Sequence, residues 1–276
     1  MTQLRQFLKN PSALIGVLIL SSLILISIFG PMIVPYSPYK QNTAIQLTGP
    51  TREHWLGTDE FGRDVLSRLI VGSRYSLSAG FVSVGVGLVG GLMLGAPAGY
   101  YGGIIDKIVM LFCDIMLAFP GVLLSMAIVM VMGPGIYTPM LAVGISSIPT
   151  FARLVRAQFL SLRSAPYVEA ARCAGTGDAK IIRRHLLPNS LGPVVIQATL
   201  RMGSAILTAA TLSFLGQGAQ PPDPEWGAML NTARPYFWTA PYLAIFPGLA
   251  ITITVIAINL VGDALRDYLD PRLRRQ

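Results

Sequence analysis

The most polar stretch of this sequence runs from Tyr167 to Asn189, in a chain that is otherwise largely apolar. We call residues 164–189, which include this stretch, the polar hairpin. It carries two acidic side chains, four basic side chains and one histidine: Glu169, Arg172, Asp178, Lys180, Arg183, Arg184 and His185. Charged groups at this density suit docking into a groove on a soluble partner. The chemistry predicted for this stretch is therefore recognition of another protein.

The polar hairpin is predicted to form two short helices joined by a glycine turn. Ser164 can cap the first helix and Asp178 the second, because short polar side chains accept hydrogen bonds from free backbone N–H groups. Gly175 and Gly177 permit a sharp reversal, since glycine reaches backbone angles that strain other residues. Pro188 is expected to close the second helix. A small apolar face would be offered to the partner by Val168, Ala171, Ile181 and Ile182.

Two charged residues, Asp114 and Arg201, fall inside apolar segments, where a charge is costly unless it is paired or hydrated. Counted along each helix from the same side of a membrane, Asp114 lies roughly 9 Å deep and Arg201 roughly 15 Å deep. The two side chains could therefore meet. They could form a gate or a polar patch on a solute pathway, or equally a structural pair or an arginine that reaches the membrane surface. Ser204, Thr208 and Thr211 share one helix face, which suits a wet lining or hydroxyls bonded to the preceding turn.

Several residue patterns needed for catalysis are absent from the sequence. None of the lysines, at positions 9, 40, 107 and 180, follows a glycine, so a phosphate-binding Gly-Lys-Ser/Thr loop cannot form. Two histidines are too few for a zinc-type cluster, and no Gly-x-Ser-x-Gly motif occurs. The chain is therefore not expected to be an enzyme or to hold a metal. If ATP drives its activity, another chain must bind the ATP.

The composition predicts an all-α integral membrane protein. Of the 276 residues, 53% are hydrophobic and 12% are charged, against about 25% charged residues in soluble domains. Apolar runs of membrane-spanning length predict six helices. They lie near Pro11–Pro35, Ser76–Tyr100, Ile108–Met132, Tyr137–Phe159, Leu191–Gly216 and Tyr242–Gly262.

The second predicted helix is distinctive at its start and along one side. Before it, a short interfacial helix is expected, with an apolar face opposite the polar residues Asp64, Ser67 and Arg68. Within it, small residues recur at every fourth position and predict a ridge on which another helix packs closely. These residues are Ser83, Gly87, Gly91, Gly95 and Gly99.

The distribution of basic residues predicts the orientation. Six spans place both chain ends on the same side of the membrane as residues 102–107 and 153–189. This side holds 14 Lys and Arg residues, and the opposite side holds 6. By the positive-inside rule, the richer side is cytoplasmic. The net charge of +8 then reflects orientation in the membrane. Nucleic acid is therefore not an expected partner.

The polar hairpin also resembles the EAA loop of ABC importer permeases. The shared residues are Glu169, Ala170, Ala171, Gly175, Leu187 and Pro188. His185 departs from the general pattern, which has an apolar residue there, but the peptide-importer branch often carries histidine at this place. A Gly-Thr-Asp…Gly-Arg-Asp…Ser-Arg string in residues 57–68 and the closing run from Asn259 resemble the same branch. That branch contains the C-type permeases of dipeptide, oligopeptide and nickel importers.

The resemblance implies the type I ABC importer permease fold, with six transmembrane helices and the polar hairpin as a cytoplasmic coupling loop. An N-terminal helix and its outer connection would occupy residues 1–75, and the permease core residues 76–276. The residues implied in contact with an ATPase are Glu169, Ala170, Ala171, Gly175, Asp178, His185, Leu187 and Pro188.

The resemblance also implies partners and a place. These are a second homologous permease, two ABC ATPase subunits that hold ATP and Mg, and an extracytoplasmic substrate-binding protein. The chain itself would hold no cofactor and would lie among the lipids of a bacterial inner membrane, with both termini cytoplasmic. The solute could be a dipeptide, an oligopeptide, glutathione, nickel or a metal chelate. A different class, a self-contained secondary transporter or channel, would transport alone and independently of ATP; the lack of repeated acidic residues at mid-membrane weighs against it.

Overall fold

The computed structural model describes residues 11–269, and the two basic chain ends on which the predicted orientation partly rests lie outside this range. The described residues form helices and no β-strand, which confirms the all-α prediction. The α-helices are α1 Pro11–Ile33, α2 Val65–Tyr101, α3 Gly103–Leu117, α4 Gly121–Met132, α5 Thr138–Leu162, α6 Pro166–Cys173, α7 Asp178–Ile181, α8 Leu187–Phe214, α9 Trp226–Ala233 and α10 Tyr242–Leu269. Short 3-10 helices occupy Thr43–Ile45 and Arg234–Tyr236, and a π-helical turn occupies Ile182–Leu186.

Five helical stretches in the described part of the chain are long and apolar enough to cross a membrane. They are α1, α2, α5, α10 and the continuous stretch from α7 through α8. Helices α3 and α4 supply a sixth crossing if the bent pair counts as one span. Six membrane-crossing segments are what the apolar runs predict.

Helix α2 is longer than the sequence predicts. It begins at Val65 and continues for 37 residues, about 55 Å at 1.5 Å per residue, against a hydrocarbon core of about 30 Å. Asp64 caps it by accepting hydrogen bonds from the backbone N–H and the hydroxyl of Ser67, at 2.8 and 2.7 Å. The prediction of a separate interfacial helix is wrong, because no proline interrupts the helix between positions 65 and 76. The division after residue 75 falls inside α2 and stays a prediction.

The polar residues at the start of α2 are buried in the protein rather than directed to water. Asp64 and Arg68 are each only 3% exposed. The Asp59 carboxylate lies 2.6 Å from the Arg63 guanidinium and 3.3 Å from that of Arg68, and His54 lies 2.8 Å from Asp64. Because buried charges need partners, this cluster fixes the connection between α1 and α2 against the start of α2.

A buried carboxylate joins α9 to α2. Glu225 accepts hydrogen bonds from the backbone N–H groups of Gly227 and Ala228, in the first turn of α9, at 3.0 and 2.9 Å. It also accepts one from the Ser76 hydroxyl at 3.3 Å. Burial raises the pKa of the Glu225 carboxyl above its ordinary value. The adjacent Trp226 is 1% exposed, and its indole N–H donates to the Leu69 carbonyl at 2.9 Å. The segment that follows α8 is thereby held against the same end of α2.

The predicted ridge of small residues packs α2 against α5. A β-carbon at Gly91 would collide with the Phe151 side chain and the Ala152 backbone, and one at Gly95 with the Ala152 carbonyl. A β-carbon at Gly99 would likewise meet the backbone of α5. Missing β-carbons let helix backbones approach closely, which is how helices associate in lipid. The structure confirms the ridge.

The third predicted span is broken in the middle. Helix α3 ends at Leu117, α4 begins at Gly121, and the two are bent by 92°. Pro120 accounts for the break, because proline lacks a backbone N–H and disfavours helical angles in the residue before it. The prediction of one helix over Ile108–Met132 is therefore wrong, because two helices occupy this range. The break forms one wall of the cavity described next.

Candidate functional site: a polar cavity and an exposed hairpin

A cavity of about 470 Å³ lies between α2, the break that separates α3 from α4, α5 and α8. Its polar lining consists of seven hydroxyl groups and one guanidinium, from Ser83, Ser125, Ser146, Ser147, Thr150, Ser204, Thr208 and Arg201. Apolar residues of the helix break complete the wall, among them Met116, Leu117, Phe119 and Val122. A few polar groups among apolar ones are typical of sites that bind small molecules.

Three of the five predicted pathway residues line this cavity, namely Arg201, Ser204 and Thr208. Thr211 lies further along α8, is half-buried and is not part of the lining. The hydroxyls of Ser204, Thr208 and Thr211 each donate to a backbone carbonyl of the preceding turn, at 2.8 to 2.9 Å. For Ser204 and Thr208, bonding to the helix backbone and exposure to the cavity therefore occur together.

Asp114 pairs with Arg153 of α5 instead of with Arg201. The Asp114 Oδ1–Arg153 Nη2 distance is 2.5 Å, and the two side chains are 59% and 50% exposed. Arg201 donates a hydrogen bond to the Thr150 hydroxyl at 3.5 Å. The Asp114–Arg201 pair considered from the sequence is thus absent from this structure. Depth along the two helices does not show which residues of α5 lie beside them, and α5 supplies Arg153 to Asp114 and Thr150 to Arg201. A pathway role for either residue stays a prediction.

Sequence reasoning missed the hydroxyls contributed by α4 and α5. Ser146, Ser147 and Thr150 line the cavity from α5, and the Ser125 hydroxyl of α4 donates to that of Ser146 at 2.9 Å. The available signal was the Ser-Ser-Ile-Pro-Thr run in the middle of a predicted span. Polar residues at such a position usually face the bundle interior or a cavity.

The polar hairpin contains the predicted pair of short helices and the glycine turn. After α6, the Gly175 N–H donates to the Arg172 carbonyl at 2.9 Å and the Thr176 N–H to the Ala171 carbonyl at 3.0 Å, the bonds of a Schellman helix end. Gly175 has a φ angle of +76°, whereas Gly177 has a φ of −66° that any residue can adopt. Of these two glycines, only Gly175 uses the left-handed region.

The N-caps of the hairpin helices are not the predicted ones. Ala165 and Gly177 occupy the cap positions, instead of Ser164 and Asp178, and neither provides a side-chain hydrogen bond. Asp178 lies in the first turn of α7, where its carboxylate accepts a hydrogen bond from the Tyr100 hydroxyl at 2.6 Å. This carboxylate is therefore used to join the hairpin to α2.

Pro188 does not close a helix, contrary to the prediction. From α7 the chain passes through the π-helical turn Ile182–Leu186 into α8, and one helical stretch runs from Asp178 to Phe214. The wider turn accommodates the proline, which cannot donate a backbone hydrogen bond. Exposed residues of the polar hairpin and residues of the cavity wall consequently lie on the same continuous helix.

The apolar face of the polar hairpin packs against this chain and is not offered to a partner, so that prediction is wrong. Val168 and Ile181 are 0% exposed. They share a buried cluster with Tyr100, Val155, Phe159, Leu186 and Val194. A partner would therefore contact the residues that remain exposed, among them Tyr167, Glu169 and Arg172.

The predicted coupling residues differ in exposure. Exposed positions are Glu169, Ala170, Gly175, Asp178 and Pro188, and half-buried ones are Ala171, His185 and Leu187. Beside them lies a groove of about 600 Å³ lined by Ala179, Lys180, Arg183, Arg184 and Pro188. Its three cations would favour an acidic surface on a partner.

Two family descriptions match this sequence. Residues 91–275 match "Binding-protein-dependent transport system inner membrane component", and residues 2–50 match "N-terminal TM domain of oligopeptide transport permease C". The sequence is 46% identical over 270 residues to the dipeptide transport system permease protein DppC of Alkalihalophilus pseudofirmus, covering 98% of this chain and 89% of that protein. It is 49% identical over 271 residues to the glutathione transport system permease protein GsiD of Pectobacterium atrosepticum, covering 98% and 90%.

Solved structures of ABC importers share the fold. An inward-facing structure of the MetNI methionine ABC transporter matches with a TM-score of 0.58 and 22% identity, over 74% of this chain and 96% of the matched chain. An amino acid ABC transporter matches with a TM-score of 0.54 and 16% identity, over 76% and 95%. Likeness at this level of identity concerns the fold alone, and it confirms the predicted type I importer permease fold.

Proposed function

This chain belongs to the family of inner-membrane components of binding-protein-dependent transport systems, and we propose that it is one permease subunit of an ATP-driven peptide importer. Family members are transport components of the ABC importer type rather than enzymes. Peptides are the proposed solutes because similar proteins are named as dipeptide and glutathione permeases. Nickel or a metal chelate is the alternative within the same branch.

The observation that carries this proposal is the single helical stretch from Asp178 to Phe214. Its first residues belong to the exposed polar hairpin, and Arg201, Ser204 and Thr208 further along line the cavity. A force applied to the hairpin by a partner would therefore be transmitted directly to the cavity wall.

A second connection ties the polar hairpin to α2. The Tyr100 hydroxyl donates to Asp178 at 2.6 Å, and the Arg172 guanidinium lies 5.3 Å from the Tyr100 ring centroid. Since Ser83 of α2 also lines the cavity, movement of the hairpin would displace two of the cavity walls together. This is the arrangement required of a coupling element.

The proposed complex contains a second homologous permease, two ABC ATPase subunits and an extracytoplasmic binding protein. ATP and Mg would be held by the ATPase subunits, with no cofactor in this chain. Closure of the ATPases on ATP would bias the permease pair between inward- and outward-facing states, because a ligand shifts such an equilibrium only by binding one state more tightly. The polar hairpin would be the docking surface on this chain.

A reconstitution experiment tests this function. The tagged chain, purified from its native membrane in mild detergent, should bring down a second permease and ATPase subunits. In proteoliposomes with the binding protein, this complex should take up labelled dipeptide or glutathione only when ATP is present. The chain reconstituted alone should not. Uptake by the single chain, driven by an ion gradient and unaffected by ATP, would identify a secondary transporter instead.

The orientation, with the polar hairpin and both termini in the cytoplasm, can be tested with a native residue. Cys173 is exposed in the hairpin, whereas Cys113 is buried. In cells that express the chain without ATPases, an impermeant maleimide should label Cys173 only after the membrane is inverted. A Cys173→Ser variant controls for Cys113, and Lys40→Cys in that background should react from outside. Labelling of Cys173 in intact cells would reverse the orientation.

A further inference from the structure

The polar cavity holds a charge that no residue within positions 11–269 neutralises. Arg201 is the one charged side chain among the described residues that line it. None of the ion pairs among residues 11–269 includes Arg201, and its hydrogen bond to Thr150 is long, at 3.5 Å. Asp114 is held by Arg153 instead. Arg201 therefore keeps most of its five N–H donors available to a molecule in the cavity.

Arg201 lies far from both ends of its helix. It is the middle residue of α8, Leu187–Phe214, and lies about 20 Å from either end of that helix at 1.5 Å per residue. Arginines that reach the surface lie near helix ends. A guanidinium in the middle of a membrane-spanning helix requires an anion or water beside it.

The hydroxyls around Arg201 complement its donors with acceptors. The hydroxyls of Ser147, Ser204 and Thr208 donate to backbone carbonyls of their own helices, at 2.7, 2.9 and 2.8 Å. Their hydrogens are thus engaged, but a hydroxyl oxygen still has lone pairs that accept hydrogen bonds. The cavity wall consequently presents a cationic fork beside several acceptors.

We propose that Arg201 binds the carboxylate of a peptide in transit, while Ser147, Ser204 and Thr208 accept hydrogen bonds from its N–H groups. This inference rests on the proposed function and specifies which chemical groups of the transported peptide the cavity binds. The planar guanidinium matches a carboxylate with two parallel hydrogen bonds. The C-terminal end of a peptide carries a carboxylate beside an N–H group, so one such end satisfies both parts of the wall.

The test compares a peptide with its uncharged counterpart in the reconstituted complex. The probes are alanylalanine and its C-terminal amide, each supplied at the concentration that gives equal occupancy of the binding protein. Arg201→Gln should lower ATP-driven uptake of the free acid by about tenfold or more, the scale of lost charge-assisted hydrogen bonds. Uptake of the amide should change by less than about twofold. Arg201→Lys, which keeps the charge, should recover part of the loss.

A matched control comes from α2. Arg74 is an exposed arginine of a membrane-spanning helix and is not part of the cavity lining. Arg74→Gln makes the same chemical change away from the proposed site. It should leave uptake of both probes near the wild-type rate.

Each other outcome has a definite meaning. Equal losses of acid and amide uptake in Arg201→Gln would overturn the role of Arg201. The proposed function would still stand if the wild-type complex takes up the free acid with ATP. Loss of the second permease from purified Arg201→Gln complex would show that Arg201 pairs with that subunit, and would overturn the inference too. If the wild-type complex takes up neither of these probes nor glutathione with ATP, the proposed peptide function fails and this inference fails with it. Uptake of glutathione by a wild-type complex that takes up neither probe would overturn this inference and leave the proposed function standing.

Discussion

Two glycines of the polar hairpin provide a matched test of what its turn requires. Gly175 has a φ of +76°, in the left-handed region, and Gly177 has a φ of −66°. At both positions an added β-carbon would meet no atom within 4 Å. Alanine at position 175 therefore introduces backbone strain, whereas alanine at position 177 does not.

The expected magnitude follows from this geometry. Alanine at position 175 should destabilise the turn by about 1–2 kcal/mol, because its β-carbon crowds the carbonyl oxygen in the left-handed conformation. That energy corresponds to a roughly 5- to 30-fold larger population of the opened turn. Gly175→Asn should cost less, since asparagine tolerates these angles better. Gly177→Ala should be neutral or slightly stabilising, because alanine restricts the unfolded chain.

Hydrogen exchange in lipid nanodiscs measures the opening directly. The backbone N–H groups at positions 175 and 176 donate to the Arg172 and Ala171 carbonyls, so their exchange rates report the turn. In Gly175→Ala both rates should rise by roughly 5- to 30-fold, and substrate-stimulated ATP hydrolysis by the assembled complex should fall. Gly177→Ala should match wild type in both measurements. Equal effects of the two alanine substitutions would refute the assignment of the turn to Gly175.

Three further predictions concern stability. Gly91→Ala should lower the stability by about 1–3 kcal/mol through overpacking against α5, whereas Gly85→Ala, with open space around it, should not lower the melting temperature, because alanine is favoured over glycine inside a helix. Asp114→Asn and Arg153→Gln should be non-additive, with a coupling of at most about 1 kcal/mol because both side chains are half-exposed; strict additivity in a double-mutant cycle would exclude the pair. Because burial raises the Glu225 pKa, the carboxyl favours folding while protonated, so wild-type stability should fall as the pH rises above 4.5 towards the raised pKa. Glu225→Gln should remove that slope in thermal unfolding, and an unchanged slope would contradict the burial effect.

Local features of the hairpin turn could be predicted from the sequence, and the caps could not. Gly175 closes α6 as expected, because a left-handed residue is required there and glycine supplies it. Asp178 is a good cap by residue type, yet its carboxylate contacts Tyr100, 78 residues away along the chain. Asp178 accepts a hydrogen bond from a side chain of another helix instead of from the backbone N–H groups of its own helix. Pro188 does not end the helix, because the π-helical turn before it accommodates the proline.

The sequence by itself determined where the apolar segments lie, the ridge on α2 and the family. A helix in lipid satisfies its own backbone hydrogen bonds, so apolar length alone is enough to identify a span. Small residues at every fourth position identify a face that admits a close neighbour without identifying that neighbour. The Glu-Ala-Ala and Gly motifs identified the importer permeases because they are local strings.

Only the tertiary structure decided which faces meet and which charges pair. Periodicity shows that Asp64 and Arg68 lie on one side of α2 but leaves open whether that side meets water or protein, and it is buried. Asp114 was assigned the wrong candidate partner because depth along its helix does not show that Arg153 of α5 lies beside it. The cavity likewise combines hydroxyls from four separate segments. Distances between such segments depend on packing, for which residue spacing along the chain carries no information.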